Sequence, residues 1–401
     1  MRFLCLIILV AAGAMSACSG EAPAAPSTTP TTTEPPPPPP PKPECAASAD
    51  CTASADKPLC DATTGACVVL PPGNEIGVKD GTPASVTLVT IYEPDKPRIP
   101  TDLAFHPDRP NELWIVNRKD DSLITIKNPG APDATAQRRH DPDAMHFMHL
   151  PPAIAFGAGD TFGICGDGDG GGDNFMGPAL FSADPAVFAK ATPNGLGSHL
   201  DMLHSTSFCK GIAHVDANVF WVFDGLKKSL DKYDFHSDHG PGNDDHSDGE
   251  IYRYVTGKVL GVSEVPSHVF YNAEDKQLYV ADTGHKRILK LDTTSGTLGK
   301  SFPGQETIKA RKYMDGAALT ELVPPGTLEA PSGIEVQDGL VFVSDNATSK
   351  FYAFDPQGKI VRSLDTGLPA GSLAGFTFGP DGKIYFVDMI SGRAYRIDPL
   401  L

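Results

Sequence analysis

Apolar positions along this chain come in short runs of β-branched and aromatic residues that alternate with polar ones and close on an aspartate. The phrase is plainest at Gln277–Asp292, where Q-L-Y-V-A-D leads through the polar turn T-G-H-K into R-I-L-K-L-D. It returns as L-V-F-V-S-D-N-A-T-S-K-F-Y-A-F-D at Leu340–Asp355 and as K-I-Y-F-V-D-M-I-S-G-R-A-Y-R-I-D at Lys383–Asp398. The two aspartates stand ten apart each time: 282 and 292, 345 and 355, 388 and 398. The same interval finds Asp224 and Asp234 in N-V-F-W-V-F-D-G-L-K-K-S-L-D-K-Y-D, and Asn117 and Lys127 in E-L-W-I-V-N-R-K-D-D-S-L-I-T-I-K. A period of two marks strands. Strand, tight turn and strand, returning every roughly 40 to 60 residues, mark radial β-sheet repeats.

Each repeat needs an inner strand ahead of this phrase. The pattern supplies six: Pro100–Phe105, Pro151–Phe156, Cys209–His214, Pro266–Phe270, Pro331–Val336 and Ala374–Phe378. The expected fold is therefore all-β, a propeller of six blades. The repeat that starts at Pro151 is the least regular, because its aspartate column dissolves into the stretch Gly166 to Asp173. Val86–Tyr92 is an unpaired early run of good strand composition, and it is expected to supply the outer strand of the last blade and close the ring. Asp224, Asp282, Asp345 and Asp388 read as turn-makers, since an aspartate at a strand end accepts backbone N–H groups of the following turn.

The proline-led inner strand followed by Val-Ala-Asp, a turn and Arg-Ile resembles the NHL repeat, most closely over Leu278–Leu291 and with varying quality from Pro100 to Asp398. The resemblance implies the six-bladed propeller. It implies no single activity, because peptide-amide lyases, calcium-dependent lactonases and binding platforms share that architecture. The amide-lyase pattern, a histidine directly after the proline of an inner strand, is absent: Thr101, Pro152, Lys210, Ser267 and Ser332 hold those places, and His268 stands one further on.

The N-terminal segment departs from the alternation altogether. Residues 1–17 read as a signal peptide: a basic start at Arg2, an apolar run from Phe3 to Ala14 too short to span a bilayer, and the small-residue site before Cys18. Met15-Ser16-Ala17-Cys18 resembles a bacterial lipobox with Met in place of the usual Leu, which implies lipidation of Cys18, with Ser19 pointing to the outer membrane; plain secretion is the alternative. Residues 18–44 are rich in Pro, Thr and Ala, with an unbroken proline run at Pro35–Pro41, and form a stiff spacer. The propeller is expected over residues 85–401.

Between spacer and propeller, residues 45–70 carry Cys45, Cys51, Cys60 and Cys67. In an exported chain these form two disulfides with three possible connectivities; zinc is the competing reading, weakened by the lack of C-x2-C pairs. Cys165 and Cys209, in neighbouring repeats, are expected to pair with each other. Charge narrows the partners. The chain holds 50 acidic against 33 basic residues, a net charge of −17, with Lys and Arg scattered, so nucleic acid is excluded as a partner.

Candidate chemistry sits where the repeat breaks. One group lies in segments leading into inner strands: Met145, His146, Met148 and His149, then His199, Asp201, Met202 and His204, then His268. Loops of that kind emerge on one propeller face, so His149, His204 and His268, with Asp201, are expected to converge at the axial mouth on Zn²⁺ or Cu. A second group is the acidic, Gly-broken stretch Asp234–Glu250, where Asp238, Asp244, Asp245, His246, Asp248 and Glu250 suit a hard cation, Ca²⁺ first. It joins third and fourth strands of its blade and is expected on the opposite face. No G-x-S-x-G nucleophile motif occurs. The reading is a monomeric, envelope-anchored binding platform that holds metal and takes a protein or small-molecule ligand. The alternative is a metal-dependent hydrolase or lyase with its metal on the three mouth histidines and Asp102 or Asp201 as base.

Overall fold

The alternation has a simple physical outcome. In the computed structural model, which describes residues 43–45, 51, 59–61, 64–69, 72–78, 80–169 and 175–400, it produces six propeller blades, each built on four antiparallel strands, five as four-stranded sheets and one extended to six strands. Residues 1–42, which include the expected signal peptide, Cys18 and all of the spacer but its last two residues, lie outside the described residues. Blade one runs Pro100–Phe105, Glu112–Asn117, Ser122–Lys127 and Thr135–Arg139, each strand paired with the next. Blades four and five repeat that order from Val269 to Val323 and from Pro331 to Asp365. The six inner strands touch one another in a closed ring around the axis.

Second strands are continuous apolar runs because each blade is covered on both faces. In blade one, Trp114 and Val116 pack against blade two while Leu113 and Ile115 pack against blade six. The same alternation gives one hydrophobic cluster at each of the six blade interfaces. Val86–Tyr92 pairs antiparallel with Ala394–Pro399, so the start of the propeller closes its last blade as expected and no open edge remains at the seam.

The aspartate column does what turn chemistry requires. Asp224 Oδ1 accepts Lys227 N at 2.8 Å, and Asp388 Oδ1 accepts Ile390 N at 2.9 Å. Asp345 accepts Thr348 N ahead of it and, through its other oxygen, Glu329 N and Ala330 N of the preceding connection. Asp282 reaches back in the same way to Leu260 N at 2.7 Å. Asp345 thus pins two loops on one face of its blade, while Asp224 and Asp388 hold the turn that follows them.

Three disulfides form among the described residues: Cys45–Cys60, Cys51–Cys67 and Cys165–Cys209. The first two select one of the three connectivities of the small module, and the third ties blade two to blade three. Bonds of this kind belong to an oxidising, extracytoplasmic compartment.

Two departures from the expected plan matter for the site. His199–Met202 is the outer strand of blade two, paired with Ala179–Ser182, and not part of a loop. Blade three also has two additional strands. The connection after Asp292 in blade four leaves as a hairpin, Thr297–Ser301 with Ala310–Asp315, whose second strand pairs parallel with Glu250–Tyr254, the outer strand of blade three.

Candidate functional site

The acidic loop after Asp234 does not stay on the face its connectivity suggested. It runs along the outer strand of blade two, with His239 N donating to Leu200 O at 3.0 Å and Gly242 N to His199 O at 2.8 Å. Gly242 makes that path possible: its φ is +70°, and a Cβ there would lie 2.2 Å from Thr192 Oγ1. The loop histidines therefore meet those of blade two at the rim of the ring, and the expectation of two clusters on opposite faces gives way to one.

His199, His239 and His246 each place one ring nitrogen within 4.8 Å of the other two. His199 is buried, with its ring stacked on Phe147 at a centroid distance of 3.7 Å. Its Nδ1 lies 2.8 Å from Leu196 O, and a carbonyl can only accept, so Nδ1 carries the proton and Nε2 the lone pair. His239 is oriented identically by Gly240 O at 2.8 Å. The buried Nε2 atoms of His239 and His246 have no hydrogen-bond partner. Burial pushes the His199 imidazole down to about 3, aided by the neighbouring His239 and His246 against the opposing Leu196 hydrogen bond. His246 is lowered by burial and then by His239.

A second group shares His246 and adds His204 and Glu306, again with the donor atoms within 4.8 Å. Glu306 comes from the blade-four hairpin. Its Oε2 meets His204 Nδ1, while Oε1 accepts His204 N at 3.2 Å and Arg311 Nη2 at 2.6 Å. Burial works upward on this carboxyl, but His204 and Arg311 together hold it below the usual range. His146, 5.9 Å from His204 between ring centroids, is pushed down to about 4 by burial and by His204 and His246. Asp201 is fully buried with Oδ1 on Met202 N and Oδ2 without a partner; burial, then Asp248, Asp238 and Asp245, push its carboxyl up to about 8.

Arg253 holds these pieces in place. It bonds Asp231 Oδ2 at 2.8 and 2.6 Å, Asp224 Oδ2 at 3.0 Å and Ser205 O at 2.7 Å, and its guanidinium lies 4.5 Å over the Phe302 ring of the hairpin. One buried cation thus fixes the His204 segment from one side and the Glu306 hairpin from the other. Burial, then Asp231, raises the Asp224 carboxyl against this cation.

The expected mouth trio does not assemble. His149 faces Asp121, with Nδ1 3.1 Å from Oδ2, and His268 lies at the axis with Nε2 3.1 Å from Pro152 O. Neither belongs to a close donor group among the described residues. The three histidines do lead into inner strands, but they stand at different radii: His268 on the channel, His204 at the rim. Asp238, Asp244, Asp245 and Asp248 also fall outside the close groups. Asp238 and Asp245 accept backbone N–H groups of their own loop, from Gly240 and Ser247, and Asp248 accepts Ser237 N. Glu250 joins Asp234 and His236 at the base of the loop, where His236 Nε2 lies 3.5 and 3.7 Å from the two carboxylates, and Lys309 Nζ pairs with Glu250 at 2.7 Å.

Sequence reasoning named His199 and His239 only as members of their segments and missed Glu306. The signal for Glu306 was the length of the connection from Thr293 to Ala318, far beyond a tight turn.

The axis holds a separate cavity of about 190 Å³, lined by Asp102, His268 and Glu335 among apolar inner-strand residues. Asp102 accepts Ile154 N at 3.0 Å and is raised by burial, with His268 opposing. Glu335 is pushed up to about 8 by burial.

No family model matches the chain, and no curated protein matches it in sequence. Solved structures match its fold. An auxiliary nutrient binding protein from Bacteroides ovatus aligns with TM-score 0.50 and 11% identity over 78% of this chain and 76% of its own. The calcium-binding protein regucalcin from Agrobacterium tumefaciens gives 0.48 and 11% over 78% and 95%, and virginiamycin B lyase from Staphylococcus aureus 0.46 and 10% over 78% and 99%. At such identity the likeness concerns architecture alone: this chain is a six-bladed β-propeller.

Proposed function

We propose that this protein is a propeller platform tethered to the cell envelope through lipidated Cys18 and the proline spacer, and that it captures a divalent transition-metal ion at the rim between blades two and three. The observation that carries the reading is the His199, His239 and His246 group, with two buried imidazole nitrogens that have no partner. Unpaired buried polar atoms are costly, and an ion would satisfy both at once. The carbonyls on Nδ1 of His199 and His239 are the outer-shell contacts that orient imidazole ligands. All-imidazole donors suit Zn²⁺ or Cu²⁺ over Ca²⁺, which takes oxygen. Such an ion gives the platform an open coordination position for a ligand's donor group.

Isothermal titration of the full-length chain in detergent with Zn²⁺ tests the metal reading. His239→Ala should weaken binding more than about 100-fold, above the roughly 10–100-fold that loss of an outer-shell partner costs. Unchanged affinity in His239→Ala with His199→Ala overturns it. Mass spectrometry of the mature N-terminus tests the tether; an unmodified terminus other than Cys18 removes the anchor.

A further inference from the structure

We propose that the rim holds two metal ions side by side, the first on His199, His239 and His246 and the second on His204, His246 and Glu306, with His246 bridging them as an imidazolate, one ring nitrogen to each ion and its ring proton released to solvent. This rests on the reading of the rim as a metal site. The five residues fall into two close groups and not one, and His246 alone belongs to both. A single ion binding nitrogen at about 2.0–2.1 Å takes donors that lie within about 4 Å of one another, so a set split in this way asks for two centres.

The second group is built as deliberately as the first. Glu306 is the acid at the tip of an excursion that leaves blade four, pairs its return strand with blade three and delivers one carboxylate to a histidine of blade two's exit. Arg311 donates to Glu306 O at 2.7 Å and to Oε1 at 2.6 Å. The carboxylate is thereby fixed in rotation, with Oε2 turned to His204, the arrangement by which outer-shell donors aim a ligand oxygen. Two imidazoles and one carboxylate form a donor set that leaves positions open, whereas the first set is all imidazole. The two positions are chemically distinct.

Local charge fits two dications. Glu306 is the one carboxylate inside the groups, but Asp201 is fully buried on the strand between His199 and His204 with Oδ2 unpartnered, and the loop that carries Asp238, Asp245 and Asp248 runs along that strand. The acidic loop therefore supplies counter-charge without supplying ligands. That accounts for why its carboxylates cluster at the rim yet turn their hydrogen bonds onto their own backbone.

The test is metal stoichiometry by equilibrium dialysis of the full-length chain against Zn²⁺ with elemental analysis, and circular dichroism to confirm folding of each variant. His236→Ala serves as background, since it removes the loop-base group alone. Wild type and His236→Ala should hold two ions per chain, Glu306→Gln one, His199→Ala with His239→Ala one, and His246→Ala at most one. With Cu²⁺, wild type should show a spin-coupled paramagnetic resonance signal that Glu306→Gln replaces with that of an isolated ion. One ion in wild type, lost with His199 and His239 and untouched by Glu306→Gln, overturns the pair and leaves the single-ion platform standing. A second ion lost in His236→Ala and kept in Glu306→Gln overturns it as well. No ion in any form overturns both readings.

Discussion

Glu335 carries a prediction that needs no metal. Its carboxyl lies on the inner strand Pro331–Gln337 and faces the axial cavity together with Asp102. Burial, then Asp102, push it up to about 8 from 4.5, against opposing hydrogen bonds from Thr377 and Phe378 N. The folded protein therefore holds a proton there that the unfolded chain releases near pH 4.5, and the folded state binds more protons between those two values. Stability conferred by the protonated carboxyl is complete below pH 4.5, falls as pH rises, and is lost above about 8. The slope is about 1.4 kcal/mol per pH unit, so the span from 4.5 to about 8 caps the loss on the order of 5 kcal/mol. Water admitted by the cavity screens the charge and lowers the expected loss to about 2–4 kcal/mol. Glu335→Gln presents a neutral amide at every pH and lacks this fall, while Asp102 is present in both proteins and cancels to first order. Urea unfolding at about pH 5 and about pH 9 reads the effect: wild type should lose about 2–4 kcal/mol more than Glu335→Gln across that interval. Parallel pH profiles for the two proteins would refute the neutral Glu335.

Arg253→Met strands Asp224 and Asp231 as buried carboxylates and should cost about 3–5 kcal/mol in chemical denaturation; a loss below about 1 kcal/mol would contradict the network as described. Cys165→Ser with Cys209→Ser opens the tie between blades two and three across a sequence separation of 44, and should lower stability by about 2–4 kcal/mol in the same assay, with no added effect of reductant on the variant. Deletion of Val86–Tyr92 leaves the Ala394–Pro399 edge unpaired and should shift the size-exclusion profile from that of the full protein to aggregates; a deletion that elutes without aggregates and folds cooperatively would show that the seam strand is dispensable.

Much of the architecture was written locally. Strand identity follows from period-two alternation, blade count from the recurrence of the phrase, and the aspartates at strand ends from turn chemistry, each needing only a few neighbouring residues. The seam strand was legible for the same reason, since a ring must close. The rim site was legible in parts and not as a whole. The breaks in the repeat at His199–His204 and Asp234–Glu250 name segments whose histidines meet at the rim, yet their connectivity assigns them to separate faces, because connectivity tells where a loop begins and not how far it travels.

What the amino-acid order determined by itself is therefore the repeating unit: which residues form strands, how many blades there are, where the turns lie, and that cysteine pairs staple an exported chain. Tertiary structure alone decided which exceptions meet. His239 reaches His199 only because the loop can lie along the outer strand of blade two, with Gly242 clearing Thr192. Glu306 reaches His204 only because a hairpin from blade four pairs with blade three. Conversely, His149, His204 and His268 share one kind of loop but differ in their distance from the axis, a coordinate that no one-dimensional spacing encodes. A propeller brings together residues from neighbouring blades through packing of whole sheets, so its repeats can be read from local pattern, while a site assembled from three blades exists only after the ring has closed.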